Sequence, residues 1–196
     1  MKIETNSNQF DLGNYKPQRK EGVYNPENFS TNFEEGKSIN WEIPQKTYTF
    51  NKLQRTSVFD VASFILNKRG EMTTMKLHKL LYYAQAWSLV WDEQALFPEE
   101  IQAWANGPVI KELFQFHRGQ FTIDSVTIGN PKILSEKQKE TVDAVLDYYG
   151  DKTSQWLIQL THLEEPWKQA REGLCISERS DRIISLDSMA NYYSAL

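Results

Sequence analysis

Cysteine is almost missing from this chain of 196 residues: Cys175 is the only one. That excludes a disulfide framework within the chain and fits a reducing compartment. Surplus positive charge is missing too. Lys and Arg number 22 against 26 Asp and Glu, for a net charge of -4, so the broad basic footprint of a nucleic-acid binder is absent. No stretch approaches the ~20 consecutive apolar residues needed to cross a bilayer. The opening MKIETNSNQF lacks the apolar run of a secretion signal. A cytoplasmic protein with no membrane partner is the expectation.

Several catalytic signatures are also missing. The nine glycines are dispersed, and none forms a phosphate-cradling loop or a dinucleotide fingerprint, so no cofactor is expected. There is no nucleophile elbow of a serine hydrolase. The three histidines, His78, His117 and His162, fall on three different predicted helices. No pair has the spacing of four that sets two metal ligands on one helical face, so no metal is expected. His162 and Glu165 reverse the order of the Glu-x-x-His motif of di-metal bundles, and the motif occurs once. The acid pairs Glu99-Glu100 and Glu164-Glu165 read as solvated loop carboxylates. No catalytic residue is assigned, and the chain is not read as an enzyme.

Aromatic residues are plentiful, at 13% with six Trp, and they divide the chain in two. Residues 1–55 are polar and broken every few positions by Gly13, Pro17, Gly22, Pro26, Gly36 and Pro44, which excludes a long helix. They nevertheless carry Tyr15, Tyr24, Phe29, Phe33 and Trp41, more aromatics than a solvating linker needs. This segment reads as an irregular arm for docking on the body or on a partner, with short strands predicted on either side of Pro44.

Residues 56–196 read as a mainly α, orthogonal bundle of about six helices with a minor β element. The centre is the run from Thr73 to Trp91. Leu77, Leu80, Leu81, Ala84, Ser88 and Trp91 recur at three and four, and Tyr82, Tyr83, Trp87 and Leu89 cover much of the rest. A helix apolar around so much of its girth must be enclosed. Its polar strip of Lys76, His78, Lys79 and Tyr83 is expected to reach solvent or a partner, because an uncompensated buried ammonium is costly.

Ser57 caps the helix before it and Gly70 ends that helix. Residues 95–97 and 101–104 are predicted to pair as a hairpin. Gly107-Pro108 is predicted to open a helix, Pro suiting a first helical position. Residues 121–128 alternate like a strand, Ser135 and Gln138 form a capping box, and helices follow over 154–163, from Pro166, and from Asp187.

Four stretches resemble the Panacea antitoxin domain family, with its SocA-like and phage GepA-like members. They are residues 75–89, the segment Ala103-Trp104-Ala105-Asn106-Gly107-Pro108-Val109, residues 161–171, and residues 183–193. Their order and spacing agree across most of 57–193. Ala105 and the run Lys111-Glu112-Leu113-Phe114 depart from the usual pattern, and residues 1–55 lie outside it. The resemblance implies an antitoxin of a type II toxin–antitoxin system, which neutralises a toxin encoded beside it by direct binding. The alternatives are an adaptor that delivers the toxin to a AAA+ protease and an autoregulatory DNA-binding protein. Expected toxin contacts are Tyr15, Tyr24, Phe29, Phe33 and Trp41 on the arm. On the body they are Lys76, Lys79, Tyr83, Trp104, Asn106, Gly107 and Pro108, since a few aromatic and basic anchors dominate most interfaces.

Overall fold

The computed structural model of the chain describes residues 16–18 and 56–196. The arm residues Tyr15, Tyr24, Phe29, Phe33 and Trp41, and the strands predicted around Pro44, lie outside the described residues.

Helix α1 (Val58–Arg69) begins with the capping box of Ser57 and Asp60 and ends at Gly70, whose φ of 73° favours glycine. Asp60 also accepts the Asn130 amide at 2.6 Å, so one carboxylate caps the helix and anchors a distant loop. The two-residue strand β1 (Met72–Thr73) leads into α2 (Thr74–Trp91), which Thr73 caps by accepting the Lys76 amide. As expected, α2 is enclosed: it packs against α1, β3 (Gly107–Ile110), α4 (Glu136–Tyr149), α5 (Ser154–Leu163) and α7 (Leu186–Ser194). Leu77, Leu80, Leu81, Tyr82, Tyr83, Ala84 and Trp87 are fully buried.

The segment after α2 differs from its predicted pairing. Residues 95–97 do not form a hairpin with 101–104. Gln85 captures them instead, its Oε1 accepting the Leu96 and Phe97 amides while its Nε2 donates to the Phe97 carbonyl. One buried amide thereby meets the backbone needs of an apolar turn that has no strand beside it.

Strand β2 (Ile101–Trp104) pairs with β3 in an antiparallel hairpin, with Trp104 opposite Gly107 and Ala103 opposite Pro108. Gly107-Pro108 therefore lies in a strand, and helix α3 (Lys111–Phe116) starts only at Lys111. Proline is tolerated here for a geometric reason. The Ala103 amide points away from β3 and donates to the Arg182 carbonyl, so the Ala103–Pro108 pair exchanges no ladder bonds and the missing N–H costs nothing. Residues 182–184 complete the opposite edge, with the Ile184 amide on the Ile101 carbonyl.

Gly107 is needed twice over. Its φ is 94°, and a Cβ there would stand 2.5 Å from Lys79 Cε and 2.8 Å from Thr161 Oγ1. Gly107→Ala is expected to destabilise the body by about 2–3 kcal/mol through backbone strain and overpacking. Thermal denaturation should show a fall of roughly 4–12 °C; an unchanged melting point would mean that Lys79 moves aside freely.

The strand predicted over 121–128 is reduced to β4 (Thr122–Ile123), which pairs with β1. A 3-10 turn (Pro131–Ile133) precedes α4, whose Ser135–Gln138 capping box forms as expected. Helices α5 and α6 (Glu165–Ala170) meet at Glu164, where Pro166 in the first turn of α6 forces a new helix. The last helix, α7, is capped by Ser185 rather than Asp187. Among the described residues, seven α-helices and short two-stranded sheets confirm the mainly α class.

Candidate functional site

Most of the polar strip of α2 is withheld from solvent. Lys79 and Tyr83 are fully buried and His78 is 3% exposed. Lys79 Nζ donates to the Pro108 carbonyl at 3.0 Å, and burial lowers its pKa to about 7. Tyr83 donates to Glu164 Oε2 at 3.2 Å and Tyr193 donates to the same oxygen at 2.7 Å. Glu164 is itself buried, and desolvation raises its carboxyl to about 8. It is not a solvated loop acid; its neighbour Glu165 is exposed, but in the first turn of α6 and paired with Lys168. Glu99 departs from that reading as well, because its Oε2 accepts the Val58 amide at the start of α1.

Below these groups, Trp167 Nε1 donates to the Trp104 carbonyl at 3.0 Å. Arg171, 4% exposed, donates from Nη1 to the Ala103 carbonyl and from Nη2 to the carbonyls of Cys175, Ile176 and Glu178. The four stretches of family resemblance thus meet in space: Lys79 on Pro108, Tyr83 and Tyr193 on Glu164, Trp167 on Trp104, Arg171 on Ala103. Their polar side chains hold the scaffold together.

Of the body residues expected to touch a toxin, Lys79, Tyr83, Gly107 and Pro108 are therefore corrected to buried framework positions. A lysine with a single carbonyl acceptor can stay inside because burial lets it shed its proton near neutrality. Lys76 is half-buried and feels Asp151 beyond the end of α4. Only Trp104 and Asn106 line the open cavity described next.

That cavity, of about 810 Å³, lies between the start of α2, the β2–β3 hairpin, α3 and the loop before residue 182. Its walls are mainly apolar: Met75, Trp104, Val109 and Phe114, with Trp104 and Phe114 packed edge to face at 4.8 Å. Gln102, whose Oε1 accepts from Trp104 Nε1, orients the indole. Lys111, Arg118 and Arg179 stand at the rim with one acid, Asp181. All four are exposed.

His78 and His117 also line the cavity, with their Nε2 atoms 2.8 Å apart. The Ile110 amide donates to His78 Nδ1, so the neutral His78 ring carries its proton on Nε2 and donates it to His117 Nε2. Burial holds both imidazoles below their usual range, and for His78 the neighbouring Lys79 and His117 add to this. Both acceptor nitrogens of the pair are thus taken by protein hydrogens. His162 is elsewhere, stacked on Trp167 at 4.2 Å, and among the described residues no three candidate ligands converge.

Sequence reasoning missed this site because its parts come from separate elements. Lys111 and Phe114 show only the helical spacing of α3, Arg118 follows its end, and Arg179 reads as a solvated charge. A hint lay in the exposed Asn106 turn beside Trp104, which marks the hairpin tip.

Among the described residues, no helix is long and apolar enough to cross a membrane. Neither a curated protein nor a solved structure matches the chain. The family model described as "Antitoxin SocA-like, Panacea domain" matches residues 77–168. That span runs from α2 into α6 and takes in Lys79, Pro108, Tyr83, Glu164, Trp104 and Trp167, the partners that interlock at the centre. Across residues 77–168, just under half of its length, the chain is thus similar to the Panacea domain of SocA-like antitoxins.

Proposed function

We propose that this protein is an antitoxin that neutralises the toxin encoded beside it by direct binding, with no reaction of its own. The antitoxin-like family of the domain supports this reading. The observation that carries it is how the ionisable groups at the centre are used. Lys79, Glu164 and Arg171 are engaged in holding backbone and side chains of the same chain, and His78 and His117 are closed on each other. What remains open is a concavity with aromatic walls and a basic rim, suited to gripping another protein.

The test is co-expression with the product of the neighbouring gene. The tagged chain should co-purify with that product in a stable complex and restore growth. Growth should be restored equally in cells lacking the cytosolic AAA+ proteases, which separates direct blockade from proteolytic delivery. Rescue of growth without any complex between the two proteins would overturn the proposal.

A further inference from the structure

We infer that the cavity between α2, the β2–β3 hairpin, α3 and the 176–181 loop is the seat of an acidic peptide segment of a protein partner, one bearing an apolar or aromatic anchor. The assignment rests on the reading of the chain as a protein-binding antitoxin and names where on the body that binding occurs. Charge is the first argument. Lys111, Arg118 and Arg179 gather at one rim, in a chain whose net charge is -4. Among the described residues, no carboxylate forms an ion pair with any of the three. Three like charges on one concavity repel one another and focus an attractive field for an anion.

Shape is the second argument. The floor and walls inside that rim are mainly apolar, with Met75, Val109, Phe114 and the half-buried Trp104 among them. A compact inorganic anion would leave these surfaces wet, whereas a side chain such as Leu, Phe or Trp would cover them while flanking carboxylates meet the rim. A nucleotide fits less well. The cavity offers no glycine-rich run of amides to cradle phosphates, since no glycine is among the residues that line it.

The loop that carries Arg179 is held in place from inside. Arg171 binds the carbonyls of residues 175, 176 and 178. The rim cation is therefore presented on a braced loop, which lowers the entropy lost on binding.

The full chain should be tested on an array of short peptides whose central positions vary over Leu, Ile, Met, Phe and Trp. One set is flanked by Asp and Glu, the other by Lys. The acidic set should be retained about tenfold or more over the basic set, and high salt should erode the preference. Combined Lys111→Glu, Arg118→Glu and Arg179→Glu substitutions on this exposed rim should abolish it with little change in melting temperature. Asp181→Asn should strengthen retention.

Equal retention of the two sets, or a preference that survives the triple reversal, would overturn the assignment. Displacement of acidic peptides by ATP at lower concentration than any peptide would reassign the cavity to a nucleotide. A dimer in solution that the triple reversal dissociates would reassign it to a second copy. A peptide copying residues 27–42, which holds Phe29, Phe33 and Trp41 among four glutamates, would reassign it to the chain's own arm if it outcompeted the whole array. The complex with the neighbouring gene product gives a separate reading. If wild type binds that product and the triple reversal binds it equally well, the cavity assignment fails while the antitoxin proposal stands; if wild type does not bind it, the antitoxin proposal itself fails.

Discussion

Replacing Arg171 with methionine is expected to destabilise the body by roughly 3–5 kcal/mol, the range seen when a buried charged group's partners are left unmet. The guanidinium is almost wholly enclosed and, among the described residues, has no carboxylate partner; its four hydrogen bonds there all go to backbone carbonyls. Its face also lies over the Trp167 ring, 5.2 Å from the centroid. Hydrogen bonds from a charged donor contribute more than neutral ones, about 1.5–3 kcal/mol each in favourable cases. Without Arg171 the loop carbonyls can turn to water, but the Ala103 carbonyl, inside the sheet, cannot.

The loss should therefore appear in two places. Global melting should fall by roughly 6–20 °C for a domain of this size. Amide exchange should accelerate at Ala103 and Ile184, whose bonds join β2 to residues 182–184. Arg171→Lys should rescue only part of the loss, because an ammonium cannot reproduce the planar fork that spans both sides. Should Arg171→Met unfold within about 1 kcal/mol of wild type with exchange unaltered, the clamp would have no energetic role.

Stability should also vary with pH in an unusual way, through Lys79 and Glu164. Burial raises the Glu164 carboxyl to about 8 from its ordinary 4.5. Between those values the folded chain holds a proton that the unfolded chain has released, so raising the pH weakens folding across that window. Burial lowers Lys79 to about 7 from 10.5. Between those values the unfolded chain holds the extra proton, so raising the pH strengthens folding. The two contributions oppose each other between pH 7 and 8, and together they place a minimum there.

Each pH unit of either limb corresponds to about 1.4 kcal/mol, so the swing is of the order of several kcal/mol. Chemical denaturation from pH 5 to 10 in matched buffers reads it. Glu164→Gln, which keeps a neutral acceptor for Tyr83 and Tyr193, should gain stability relative to wild type as the pH rises from 5 to 8. Lys79→Met should lose ground relative to wild type as the pH rises from 7 to 10, because wild type recovers there. Constant differences between variant and wild type over these ranges would show that both groups keep ordinary affinities and that water reaches them.

The burial of this pair recasts what the shared motif residues do. A Lys and a Glu within recognisable stretches invite an interfacial role, yet both face inward. The pattern Ala-Trp-x-x-Gly-Pro-Val describes a hairpin with one edge bonded to residues 182–184 and the other placed on Lys79. In the proposed reading, contact with a partner falls instead to the side chains that line the cavity, of which Trp104 and Val109 belong to the pattern.

Sequence alone determined what depends on neighbours along the chain. Helical spacing located α1, α2, α4 and α5, and the local bonds of Ser57 with Asp60 and of Ser135 with Gln138 set the starts of α1 and α4. The all-round apolarity of α2 required it to be central, and the four motif stretches carried the resemblance to a family. The direction that a polar group on such a helix faces is another matter, because it depends on whether a distant element brings an acceptor. Lys79 is inside because Pro108 has a carbonyl left over from a pair without ladder bonds, and Glu164 because Tyr83 and Tyr193 donate to it. Gly107-Pro108 became a strand for the same kind of reason: Trp104 and Ala103 lay opposite to pair with it. The cavity, drawn from segments far apart in the chain, came into being only when tertiary packing brought a helix start, a hairpin and a clamped loop around one hollow, since no local rule encodes how separated segments share space.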